Sequence, residues 1–126
     1  MPKVTIKNAP KTLKSSLKRA VAFLEKTKRG NAVYTDKNFN TCLIGSYFTP
    51  EQREWINKKG LNRKAIDTVE KKIGTKNLLA MTGMDVDQCF VLQDEFDMGN
   101  GEKLLINIKQ ILSGQRTSII GVEFKL

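Results

Sequence analysis

Histidine is absent from this 126-residue sequence, and cysteine occurs only twice. Without histidine the chain has no Ser-His or Cys-His nucleophilic pair, and it lacks the usual ligand sets for zinc. Cys42 and Cys89 are too few and too far apart in the sequence to hold a metal cluster, and both have apolar neighbours. We therefore expect two buried, reduced thiols, no metal, no cofactor and no catalytic residues.

Long apolar segments are also missing. The longest stretch without Asp, Glu, Lys or Arg covers residues 38–50 and includes Asn, Thr, Gly and Ser, whereas a membrane-spanning helix needs about 20 mostly apolar residues. Residues 1–8 lack the apolar centre of a signal peptide. We therefore expect no membrane contact and a cytoplasmic location. Because the length is typical of one domain, the prediction is a single domain over residues 1–126.

Acidic residues are outnumbered, with 13 Asp and Glu against 22 Lys and Arg and a formal net charge of +9. The excess lies early in the chain: residues 1–30 carry a net charge of +8, whereas residues 77–126 carry −3. This uneven distribution favours nucleic-acid binding, because neutralising phosphates releases counterions and gives affinity that does not depend on base sequence. The alternative interpretation is a lysine-rich, solvated surface without a nucleic-acid partner.

Apolar spacing predicts three helices in the first part of the chain. The first covers residues 10–28, with an apolar stripe on one side and lysines on the other, and Gly30 ends it. The second helix is predicted over residues 50–59, with Thr49 as its N-cap. The third helix is predicted over residues 63–73.

Alternation of apolar and polar residues predicts strands elsewhere. Short strands are expected at residues 4–7, 32–35 and 41–47, and the apolar residues 78–84 fit either a helix or a strand. A three-stranded antiparallel meander is expected over residues 89–97, 103–112 and 117–126. The predicted fold class is therefore α+β: a long N-terminal amphipathic helix and two shorter central helices packed on a mainly antiparallel sheet that includes the C-terminal meander.

Two surfaces are candidates for nucleic-acid contact. One combines the cationic side of the first helix with the loop at Phe39, whose ring either stacks on a base or folds back onto the core. The other is the basic outer side of the third predicted helix. The predicted contact residues are Lys11, Lys14, Lys18, Arg29, Lys37, Phe39, Arg63, Lys64, Lys71 and Lys72.

The second and third predicted helices, joined at Gly60, resemble a helix-turn-helix unit. Trp55, Ile56 and Leu61 lie where such a unit is apolar, and the second helix of the unit enters the major groove of DNA. An ordinary helical hairpin is the alternative.

A second local resemblance lies in the acidic residues near the C-terminus. Glu123 and Lys125, together with Asp94, Glu95 and Asp97, look like the metal-binding core of PD-(D/E)xK nucleases. In that core the carboxylates hold Mg²⁺ and the lysine stabilises charge at the phosphate. The alternative is a solvated outer face of the last strand.

From these observations we expect a small basic protein that binds nucleic acid, DNA or RNA, and is not an enzyme. A phage or mobile-element accessory protein that inhibits or recruits a host protein by surface contact is the alternative. A Mg-dependent nuclease is a lesser alternative.

Overall fold

The computed structural model describes residues 12–27 and 42–126. Within these residues the chain forms six α-helices, one 3₁₀ helix and one short β-hairpin. The α-helices are α1 Leu13–Lys26, α2 Pro50–Lys58, α3 Ile66–Ile73, α4 Thr75–Thr82, α5 Val86–Asp97 and α6 Gly101–Leu112. The 3₁₀ helix covers Ile44–Tyr47, and the antiparallel strands are β1 Ser118–Ile119 and β2 Val122–Glu123.

The predicted α+β class is wrong, because the described residues are mostly helical and the sheet they form has two strands of two residues each. Residues 89–97 and 103–112 belong to α5 and α6, and residues 117–126 contain only the short hairpin. The predicted three-stranded meander is therefore not formed. These segments are rich in residues with high β-propensity, but that preference is weak compared with burial against neighbouring helices.

Helix α6 shows how the strand prediction failed. Its buried residues Leu104, Ile108 and Ile111 recur after four and then three positions, which is the period of a helix. Ile106 belongs to the alternating pattern that predicted a strand, but its side chain is exposed. The helical period accounts for which residues are buried, and the alternating period does not.

The first two predicted helices are confirmed with shorter bounds. Helix α1 lies within predicted residues 10–28 and begins after Thr12, whose side chain accepts a hydrogen bond from a backbone N–H of the first turn. Helix α2 begins with the expected capping box, in which Thr49 and Gln52 each accept the backbone N–H of the other. Gly60 follows α2 with a φ of +70°, a conformation that favours glycine.

The third predicted helix is shorter than expected, because α3 begins at Ile66 and leaves Arg63 and Lys64 in the preceding segment. The strand predicted at residues 41–47 is wrong where the structure describes it. There the chain forms the 3₁₀ helix, and the Gln93 side chain of α5 accepts the N–H of its first residue. In the segment 78–84, which fitted either a helix or a strand, the residues up to Thr82 are helical and form the second half of α4. The strands predicted at residues 4–7 and 32–35 lie outside the described residues.

Helix α5 lies at the centre of the packing and contacts α3, α4, α6, the 3₁₀ helix and β2. Helix α6 packs in turn against α1, and these two form the most extensive helix pair. Phe96 of α5 is fully buried, and its ring meets that of Phe23 edge-on with centroids 5.5 Å apart. In the described part of the chain, no helix has both the length and the apolar character needed to cross a bilayer.

Candidate nucleic-acid interface

Six of the ten predicted contact residues belong to the described part of the chain, and all six are exposed. They are Lys14, Lys18, Arg63, Lys64, Lys71 and Lys72. The other four, Lys11, Arg29, Lys37 and Phe39, lie outside the described residues.

The six residues fall on two separate parts of the fold. Lys14 and Lys18 are one turn apart on α1, whose buried side, with Leu17 and Leu24, belongs to the core. Lys71 and Lys72 lie in the last turn of α3. Helix α1 packs chiefly against α6, whereas α3 packs chiefly against α5 and α4. The two basic surfaces therefore lie on helices that do not pack mainly against each other.

The helix-turn-helix resemblance depended on α2 and α3 packing against each other. Helix α3 buries Ile66, Val69 and Ile73, but its principal partners are α5 and α4 rather than α2. The packing of α3 is therefore not that of the second helix of a helix-turn-helix unit, which crosses the first.

The nuclease resemblance depended on strands, and the acidic residues are instead on a helix. Asp94, Glu95 and Asp97 belong to α5, and Glu95 is buried with its carboxylate accepting a hydrogen bond from Asn100 Nδ2 at 3.1 Å. Glu123 and Lys125 form an exposed ion pair of 3.3 Å at the hairpin. Over residues 12–27 and 42–126, no group of three or more Cys, Asp and Glu side chains is placed to hold a metal ion.

A cleft of about 240 Å³ lies between the start of α3 and the outer side of α5. We call it the α3–α5 cleft. Its walls carry Arg63 and Lys64 from the segment before α3 and Phe90, Asp94 and Asp97 from α5. The three α5 residues are spaced at i, i+4 and i+7 and therefore lie on one side of the helix. Packing of α3 on α5 brings the basic pair and the α5 residues together.

Hydrogen bonds fix the floor of this cleft. Gln93 is buried, its Oε1 accepts the backbone N–H of Ile44 at 2.9 Å, and its Nε2 donates to Asp97 Oδ1 at 2.6 Å. Partial burial raises the pKa of Asp97, the bond from Gln93 lowers it, and the nearby charge of Asp94 raises it, with burial the largest effect. The Gln93 amide is thus engaged through both its oxygen and its nitrogen, and it holds the Asp97 carboxylate in place.

Phe90 is the large apolar side chain of the cleft, and it is 45% exposed. Phe90 lies in the strand that was predicted over residues 89–97, and it is not one of the predicted contact residues. An exposed ring beside basic side chains is a combination that nucleic-acid-binding surfaces use, because the ring can stack on a base while the cations meet phosphates.

Two further basic side chains, which are not among the predicted contact residues, lie at the end of the 3₁₀ helix. Arg19 of α1 donates to the carbonyl of Ser46 at 3.1 Å and lies over the Tyr47 ring, 5.3 Å from its centre. Arg53 of α2 donates to the carbonyls of Gly45, at 3.3 Å, and Phe48. Both guanidinium groups border an open groove, and both donate to backbone carbonyls in the last turn of the short helix or just after it.

The two cysteines are buried free thiols, as the sequence predicted. Burial raises the pKa of Cys42 to about 12 and that of Cys89 to about 12. Cys42 forms part of the α3–α5 cleft wall, but only 1% of its surface is exposed. At neutral pH both groups therefore remain protonated and poorly nucleophilic.

No protein family model matches this sequence, and no curated protein or solved structure shows significant similarity to it.

Proposed function

We propose that this protein binds nucleic acid without catalysing a reaction and contacts phosphates with the exposed basic side chains of α1, α3 and the segment before α3. The observation that carries the proposal is the α3–α5 cleft, in which Arg63 and Lys64 lie opposite the exposed ring of Phe90. Stacking of a base on an aromatic ring contributes about 1 to 3 kcal/mol, and every base can stack. The cleft therefore suits a strand with an unpaired base.

The exposed lysines of α3 and α1 support the same proposal. Lys71 and Lys72 follow Arg63 and Lys64 along the chain and lie in the last turn of α3, whose buried side faces α5 and α4. Each lysine that neutralises a phosphate adds affinity and makes binding more sensitive to salt. Lys14 and Lys18 form a second basic surface on α1, which extends the proposed contact beyond one site.

The proposed function requires a compartment that holds nucleic acid, and the cytoplasmic location expected from the sequence meets that requirement. Single strands of DNA or RNA are the expected ligands, because a ring in a cleft of this size can stack on an unpaired base more readily than on one within a duplex.

The test is a titration of labelled single-stranded and double-stranded DNA and RNA oligonucleotides, followed by fluorescence polarisation at several salt concentrations. We expect binding that weakens steeply with salt and favours single strands. If no oligonucleotide binds even at low salt, the proposal is wrong, and the basic surface serves solubility or a protein partner.

A matched pair of double variants locates the contact. Lys71→Gln with Lys72→Gln should reduce the salt slope, d log K/d log[salt], by about 0.7 for each lost single-strand contact. Lys103→Gln with Lys125→Gln removes the same charge from exposed positions on α6 and beyond β2 and should leave the slope unchanged. Equal effects of the two pairs would contradict a localised interface.

A further inference from the structure

The α5 wall of the α3–α5 cleft offers hydrogen-bond acceptors to a ligand. Asp94 and Asp97 both present carboxylates, which accept hydrogen bonds and donate none when ionised. The Gln93 amide is held in place at this wall, because one N–H of its Nε2 donates to Asp97 and its Oε1 accepts the N–H of Ile44. The two carboxylates therefore favour a ligand group that presents N–H or O–H donors.

The opposite wall has the reverse chemistry. Arg63 and Lys64 donate hydrogen bonds and carry positive charge, which suits a phosphate or a carbonyl oxygen. The ring of Phe90 lies on the same side of α5 as the two aspartates and offers an apolar face. The cleft thus combines a stacking surface, an acceptor wall and a cationic wall.

The volume limits the size of the ligand. At about 240 Å³ the cleft is smaller than the roughly 300 to 1,000 Å³ of pockets for drug-sized molecules. One planar nucleobase suits this space, with its sugar and phosphate at the mouth beside the basic residues.

The acceptor wall distinguishes among the bases. A carboxylate has two oxygens that take two parallel N–H donors side by side. Guanine presents N1–H and N2–H next to each other on its Watson–Crick edge. Adenine and cytosine present one amine next to a ring nitrogen that accepts, and uracil and thymine present one N–H between two carbonyl oxygens. Each of these other bases would place an acceptor against a carboxylate oxygen, which is repulsive.

We infer that the α3–α5 cleft binds a single unpaired guanine, stacked on Phe90, with its Watson–Crick edge on the carboxylates of Asp94 and Asp97 and its phosphate beside Arg63 and Lys64. This inference rests on the proposed function and adds base selectivity to it. Asp94 is the more informative residue to change, because Asp97 is tied to Gln93 and through it to the 3₁₀ helix.

The test uses the intact protein and four labelled 12-nucleotide strands of thymidine in which one central position is dG, dA, dC or dT. We expect the dG strand to bind at least fivefold more tightly than the other three. Asp94→Asn, which turns one acceptor oxygen into a donor, should reduce dG binding to the level of the others. Asp87→Asn makes the same change in the first turn of α5, at a residue that does not line the cleft, and should leave the preference intact.

A third variant separates stacking from hydrogen bonding. Phe90→Leu keeps an apolar side chain but removes the ring, so it should weaken binding of all four strands, by about fivefold or more if a stacking contribution of at least 1 kcal/mol is lost. Circular dichroism and thermal melting of each variant confirm that it is folded. An Asp94→Asn variant that is folded and still prefers dG would overturn the inference.

The outcomes distinguish this inference from the proposed function. Equal, salt-sensitive binding of all four strands would overturn guanine selection and leave nucleic-acid binding in place. If no strand binds, a calorimetric titration with guanosine monophosphate decides: binding that Asp94→Asn abolishes supports a guanine cleft for a free nucleotide, and no binding overturns both proposals.

Discussion

The side-chain oxygen of Gln93 accepts a hydrogen bond from the backbone N–H of Ile44 at 2.9 Å, although 49 positions separate the two residues in the sequence. Both residues are buried. The bond joins the 3₁₀ helix to the middle of α5 and, through the second contact of Gln93 with Asp97, to the floor of the α3–α5 cleft. One buried side chain therefore links the 3₁₀ helix to the floor of the cleft.

Gln93→Leu should destabilise the fold by about 1 to 3 kcal/mol, because it leaves the buried N–H of Ile44 without an acceptor. Urea unfolding followed by circular dichroism measures the change in free energy of unfolding. Gln115→Leu makes the same chemical change at an exposed position and should alter stability by no more than about 0.5 kcal/mol. Equal effects of the two variants would show that the Gln93 bond does not stabilise the fold.

Tyr47→Phe tests a second buried link. The Tyr47 hydroxyl donates to the backbone carbonyl of Ser16 in α1, and a typical hydrogen bond contributes about 0.5 to 1.5 kcal/mol to stability. We expect a loss within that range by chemical denaturation. The variant keeps the ring on which Arg19 lies, so the loss reports the hydroxyl alone. An unchanged unfolding midpoint would contradict the prediction.

Stability should fall as pH rises above about 9. The thiol of Cys89 keeps its proton up to about pH 12 in the folded state, whereas an unfolded cysteine loses its proton near pH 8.5. Between these values the unfolded state binds fewer protons, so increasing pH favours unfolding. From pH 8 to pH 10 the wild type should lose about 2 kcal/mol more than Cys89→Ala. If the free energy of unfolding fell equally with pH in both proteins, ionisation of Cys89 would not be the cause.

The hairpin tip contains a strained residue. Ile120 has a φ of +46° and is followed by Gly121 at +78°, so both central positions of the turn between β1 and β2 have positive φ. Such turns favour Asn-Gly, and a β-branched residue is unfavourable there. Since the Ile120 side chain is 69% exposed, Ile120→Asn loses little burial and should stabilise the fold by about 0.5 to 1 kcal/mol in thermal or urea unfolding. Ile120→Val retains the β-branch and should give no gain.

The first helices were predictable because their ends carry local signals. The capping box of Thr49 and Gln52 is visible in the sequence and present in the structure. Helix α5 has an equivalent signal in Asp85 and Gln88, each of which accepts the backbone N–H of the other. That signal, read together with the helical spacing, would have identified α5. The strand predicted over residues 89–97 is wrong because it takes no account of this cap.

The cleft could be predicted only in part. Arg63 and Lys64 were predicted contacts because basic residues are recognisable in any sequence. Phe90 and Asp94 were not assigned to the same surface, since their proximity to the basic pair arises from the packing of α3 on α5. No local pattern encodes that contact. Arg19 and Arg53 were missed for the same reason, because the carbonyls they bind belong to another element.

The pairing of α1 with α6 also constrains how the chain acquires its structure during synthesis. These two helices form the most extensive helix interface, yet residues 27–100 lie between them. While the ribosome is still making the middle of the chain, Leu17 and Leu24 of α1 have no α6 to cover them. Domains generally fold as units, so α1 cannot bury its apolar side until α6 has been synthesised. Exposed apolar surface promotes aggregation, and a chaperone that binds apolar segments would act during this interval.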